Sequence, residues 1–177
     1  MQHSVAPQTT PGTSRPDRRA LLSAAAWTVP VLAAAAAAPL ASASTPTGIS
    51  AGAFRLVGNC GVQGLFGPGF LLAADPGVAL PIGTQILITG SGVASLGIVR
   101  VTGQATADVE NLGTVLRRVT LTSELPAGES IAARTALSTT SAFTLTAFVT
   151  LPDGYVQGSG AKTAGNVNSQ QIVCTAG

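Results

Sequence analysis

From residue 53 onward the apolar side chains of this chain recur at every second position rather than at helical spacing. Phe143, Leu145, Ala147, Val149 and Leu151 alternate with Thr144, Thr146 and Thr150. Val99, Val101, Ala105, Ala107 and Val109 share one parity, while Arg100, Thr102, Gln104, Thr106 and Asp108 take the other. Val115, Val119 and Leu121 alternate in the same way with Leu116, Arg118, Thr120 and Thr122. A period of two marks strands with one face buried and one face wet. Shorter runs at 53–60, 69–73, 85–89, 130–137 and 170–175 read as further strands. Between the runs a tetrad Leu-Pro-x-Gly appears at 80–83, 125–128 and 151–154. Proline sets φ at the first turn position and glycine accepts a positive φ, so each copy predicts a chain reversal. The copies are unevenly spaced, which excludes a solenoid.

Eight or so strands with frequent turns and no helical periodicity after residue 43 predict an all-β fold. An antiparallel β-sandwich accounts for the pattern best, with a small β-barrel as the alternative. The core is expected to draw on Val, Leu, Ile and Ala together with Phe54, Phe70 and Phe143. The segment 61–81 is read as a long irregular loop carrying one short strand. In general style this resembles bacterial immunoglobulin-like modules, without a family-defining motif.

The first 43 residues read as an address. Arg15, Arg18 and Arg19 precede 20–40, a stretch without a single charge, and Ala41-Ser42-Ala43 supplies small residues before Ser44. A basic region, an apolar region and an A-x-A exit make a secretory signal, with cleavage expected between Ala43 and Ser44. Asp17-Arg18-Arg19-Ala20-Leu21-Leu22 resembles a twin-arginine signal, in which Arg18, Arg19, Leu21 and Leu22 are the recognised positions. Asp17 and Ser23 depart from the residues commonest there. The alanine-rich apolar region is similar to those of secreted proteins of high-G+C Gram-positive bacteria. The resemblance implies a twin-arginine translocase and a signal peptidase as partners during export, and folding before export. Kept uncleaved, 20–40 is long enough to anchor the chain in a bilayer.

The remainder, 44–177, forms one expected domain in which six cations balance six carboxylates. Only 9% of the whole chain is charged, against about a quarter in an average soluble domain. With no basic stripe, recognition of nucleic acid is not expected. The single histidine, His3, leaves with the signal. Serine and cysteine nucleophiles that rely on imidazole as base are then excluded, as are most catalytic zinc sites, and no cofactor or metal is expected. Cys60 and Cys174, an even pair in an exported chain, predict one disulfide linking the first strand to the last.

The chemical motifs are weak. In 158–163, Gly-Ser-Gly-Ala-Lys-Thr, Ala161 stands where a phosphate loop requires glycine. Ser159 and Lys162 have the spacing of the nucleophile motif of penicillin-recognising enzymes but lack its companion motifs. Asp108 and Glu110 are expected to point the same way from one strand, a spacing that a hydrolase acting on sugars can use. On a wet strand face they read first as solvated partners for Arg117 or Arg118. The Thr-x-Thr pairs at 120/122 and 144/146 are too few for an ordered water-binding array. Phe66 and Tyr155 are the aromatics expected to be exposed, in loops at 61–69 and 155–169, and they are the candidate binding residues; Asn166 and Asn168 are read as polar residues of the second loop. A non-enzymatic, exported structural or interaction module is therefore expected, located outside the cell or on its surface. The alternative is a small secreted binder of a cell-wall glycan or an extracellular protein, and a secreted hydrolase comes third.

Overall fold

The computed structural model describes residues 48–62, 67–171 and 173–177. The expected signal (Arg18, Arg19, Leu21, Leu22), its exit (Ala41, Ala43, Ser44) and Phe66 lie outside them. No helix occurs among the described residues, and the strands assemble mainly into two antiparallel sheets. The first contains β2 (Arg55–Asn59), β3 (Gly69–Ala73), β5 (Val99–Gly103) and β8 (Ser130–Thr135), in the order β2-β3-β8-β5. The second contains β4 (Gln85–Ser91), β6 (Ala107–Asn111), β7 (Leu116–Leu121), β9 (Phe143–Thr150), β11 (Ala164–Gln170) and β12 (Val173–Ala176), in the order β12-β11-β9-β4-β7-β6. Two short strands, β1 (Ile49–Ser50) and β10 (Tyr155–Val156), pair in parallel. Neither large sheet closes on itself, so the architecture is sandwich-like and the barrel alternative does not apply.

The alternation read from the sequence is the physical basis of the core. Leu56, Phe70, Leu72, Ile131 and Ala133 from the first sheet and Ile86, Ile88, Val119, Leu121, Leu145 and Val167 from the second are fully buried or nearly so, in one cluster. Their sequence neighbours face outward: Thr144 and Thr146 are half-buried, and Arg55, Thr89 and Arg100 are exposed. A one-residue slip of any of these strands would turn its apolar set to water, so the register is tightly specified.

The disulfide expected between Cys60 and Cys174 forms, with Cα atoms 5.9 Å apart and the two residues 114 positions apart in sequence. It joins the end of β2, which is the second strand rather than the first, to the last strand, β12. It therefore connects an edge of one sheet to an edge of the other. In a chain-entropy account, a loop of this order is worth up to about 4.7 kcal/mol. Alongside it the sheets nearly touch: Gly58 N donates to Gly177 O at 3.1 Å. A Cβ on Gly58 would lie 1.9 Å from Asn166 O, so only glycine permits this approach.

Three sequence readings are corrected. The apolar parity from Val99 to Val109 continues unbroken, yet the chain leaves the first sheet after Gly103 (φ 137°) and enters the second at Ala107. The single strand expected at 170–175 is a hairpin between β11 and β12, turning at Gln171 with φ 62°. Asn166 and Asn168, read as loop residues, lie on β11 opposite Thr146 and Thr144. Asparagine and glycine are poor strand formers, and burial of Val167 and Ser169 at the alternate positions outweighs that preference.

Candidate functional site

The outer face of the four-stranded sheet carries the most site-like feature among the described residues. Its register stacks Asn59, Gly69, Arg134 and Arg100 in one row across the strands, and Val57, Leu71, Ala132 and Thr102 in the next. Arg100 and Arg134 are thus directly opposite each other on adjacent antiparallel strands, with Cβ atoms about 4.5–5.5 Å apart. Like charges in that relation repel. No carboxylate stands on the outward positions of these four strands, and Arg55 adds a third cation to the same face.

The two arginines are held differently. Arg134 reaches over β3 at the position of Gly69, where no side chain is in its way. Its Nη1 donates to Asn59 Oδ1 at 2.8 Å and to Gly67 O at 3.3 Å. Both acceptors are neutral, so the guanidinium is oriented but its charge is not cancelled. Arg100 is exposed, and its side chain has no hydrogen bond or ion pair among the described residues. Around them lies a groove of about 590 Å³ with Gly67, Ile98, Thr102, Ala132, Thr135 and Ala136 in its lining. Its size is in the range of small-molecule and sugar sites, about 300–1,000 Å³. Thr135 is buried, and its Oγ1 donates to Pro68 O at 2.8 Å, which ties β8 to the segment before β3.

Tyr155 lies elsewhere, half-buried in β10. It lines a second hollow of about 510 Å³ together with Phe54, Val149, Leu151 and Thr163. Phe148 is the exposed aromatic that the sequence reading passed over, 53% accessible on the outer face of the six-stranded sheet. Its position between Ala147 and Val149, on the polar parity of β9, was the available signal.

Asp108 and Glu110 do share the outer face of β6, opposite Thr120 and Arg118. Glu110 Oε2 accepts from Arg118 Nη1 at 3.0 Å, with the side chains 60% and 37% exposed. At that exposure such a pair contributes about 0.2–1 kcal/mol. Arg117, its sequence neighbour, points the other way and is 6% exposed. No acid meets it. Its Nε and Nη2 donate to Gly97 O at 3.2 and 2.9 Å, and its Nη1 donates to Leu116 O at 2.9 Å and also to Gly113 O. Gly158 and Ala161 close a turn by a 3.2 Å bond, after which Lys162 runs beside the start of β2. Among the described residues no three metal-ligating side chains come together.

Comparison with models of protein families, with curated proteins and with solved structures found no match for this chain.

Proposed function

We propose that this chain is an exported, non-enzymatic interaction module of immunoglobulin-like sandwich type, which contacts its partner through the outer face of the four-stranded sheet. The single observation that carries this reading is the groove over β5 and β8, whose two arginines project from sheet strands rather than loops, one of them, Arg134, held in place by hydrogen bonds. Strands hold side chains more precisely than loops do, and a binding site gains from that.

The immunoglobulin-like assignment is supported by strand order. Taking β2, β3, β4, β5, β8, β9 and β11 in chain order, four form one sheet as first-second-fifth-fourth, and three lie in the other as third-sixth-seventh. That is the arrangement of a constant-type immunoglobulin sandwich. The β6–β7 hairpin is then an insertion beside β4, and β12 an added edge. The cross-link differs, since it joins sheet edges rather than the two central strands. Export, through a twin-arginine or general signal cut before Ser44, is supported by the disulfide, which belongs to oxidising compartments.

The test is retention of the oxidised protein on insoluble cell envelope from the organism that makes it. The wild-type chain is expected to co-sediment, and Ala132→Trp, which fills the groove from an outward strand position, to remain in the supernatant with an unchanged melting temperature. Equal retention of the two, or retention of neither, would contradict the reading.

A further inference from the structure

We propose that the groove between Arg100 and Arg134 binds the carboxylates of an acidic polysaccharide, a polymer of uronate sugars. This rests on the interaction-module reading and assigns the ligand class of the same groove. The argument begins with the charge pattern. Two guanidinium groups face each other across adjacent strands, an arrangement that costs energy when empty. One is oriented by Asn59 and Gly67 O and the other makes no bond among the described residues. An oxyanion seated between them accepts from both. Arginine's planar fork matches a carboxylate by two parallel bonds, so the pair supplies both attraction and geometry.

The remaining lining selects the ligand that carries the carboxylate. Ala132, Ala136 and Gly67 project a methyl group or nothing, so an extended ligand can lie flat against β5 and β8. Thr102 offers a hydroxyl in the row next to Arg100, suited to the hydroxyls of a sugar ring. Protein partners are anchored mainly through Trp, Tyr and Arg packed into desolvated pockets, and among the described lining residues arginine is the one such anchor, without an aromatic beside it. Nucleic acid needs a track of phosphate contacts, and beyond the pair the described residues of this face offer one further cation, Arg55. A chain of acidic sugars needs one strong anion contact and a flat, partly polar bed, and the groove supplies both.

The experiment is affinity electrophoresis and calorimetry of the oxidised protein against polygalacturonate, alginate and hyaluronate. Carboxyl-reduced polygalacturonate is the neutral counterpart and polyphosphate the competing anion. Binding to at least one uronate polymer is expected, with loss on carboxyl reduction and weakening by about tenfold or more in Arg100→Gln. Arg100 has no structural bond to lose, so this variant is expected to fold as wild type. Arg100→Lys retains the charge without the fork and is expected to fall between the two. Arg118→Gln, on the other sheet, is expected to bind as wild type. No binding to any of the three polymers overturns the proposal, as do preference for polyphosphate and equal loss in Arg118→Gln. If Ala132→Trp blocks envelope retention while Arg100→Gln and carboxyl reduction change nothing, the ligand class is wrong and the module reading stands. If Ala132→Trp is also without effect, both fall.

Discussion

Arg117 shows how a charge can be kept inside this sandwich without a counter-charge. It occupies an inward position of β7, where alternation calls for an apolar side chain, and donates to carbonyls of Gly97, Gly113 and Leu116. Those carbonyls sit in the β4–β5 connection and the β6–β7 hairpin, so one side chain reinforces a link between two loops that the backbone bond from Leu96 N to Thr114 O, at 3.0 Å, also makes. Hydrogen bonds from a charged donor are worth about 1.5–3 kcal/mol, and their removal leaves acceptors unpaired. Arg117→Met keeps the length and loses every donor. It is expected to destabilise the protein by about 2–3 kcal/mol in urea unfolding, while Arg118→Met, which loses only the exposed pair, is expected to cost under about 1 kcal/mol. Two adjacent arginines on alternate parities are indistinguishable by residue type. Position 117 shares the parity of Val115, Val119 and Leu121, yet the sequence reading offers Arg117 and Arg118 alike as partners for Asp108 and Glu110. Arg117 is buried on local carbonyls of Gly113 and Leu116 together with Gly97 O, 20 positions away, which no local pattern announces.

At the scale of elements, the turns were the most legible feature and the outward faces the least. All three Leu-Pro-x-Gly tetrads are turns, with Gly83, Gly128 and Gly154 at φ 87°, 76° and 84°. In each, the proline carbonyl accepts from the residue after the glycine: Thr84 N to Pro81 O, Glu129 N to Pro126 O and Tyr155 N to Pro152 O. Proline therefore sits one place earlier in the turn than expected, as the acceptor rather than as the first central residue. The first two tetrads also bond to each other, through Leu80 and Leu125. That pairing is tertiary, and nothing local in either tetrad announces it. The cross-strand row of Arg100 and Arg134 was hidden for the same reason, because register between β5 and β8 joins residues 34 positions apart.

Asp75 makes a similar long-range connection between loops and brings a pH dependence. Its carboxylate accepts from Gly77 N and from Ala53 N, both at 2.8 Å, which holds the β1–β2 connection against the segment after β3. Those amides, Gly77 foremost and then Ala53, lower its pKa from the ordinary 3.8. A depressed carboxyl stabilises the fold fully above the unfolded value, and the contribution is lost as pH falls through the folded one. Wild type is therefore expected to lose stability relative to Asp75→Asn as pH falls below about 4. Denaturant midpoints measured from pH 7 to pH 2 check this. A constant difference between the two proteins across that range would contradict it.

For the molecule as a whole, the two sides of the sandwich differ. Along β2, β11 and β12 the sheets are cross-linked and their backbones meet at Gly58. At the opposite side β5 and β6 are the free edges of their sheets, and the groove lies beside β5. A covalently closed side with the groove at the far side is the arrangement that the proposed interaction module uses. The account predicts that one sheet face does the work, and amide chemical shifts of the oxidised protein titrated with a soluble galacturonate oligomer test that most directly. Perturbations confined to 98–102, 132–136 and Gly67 are the predicted result. Perturbations centred on Phe148 and the outer face of the six-stranded sheet, or none at all, would contradict it.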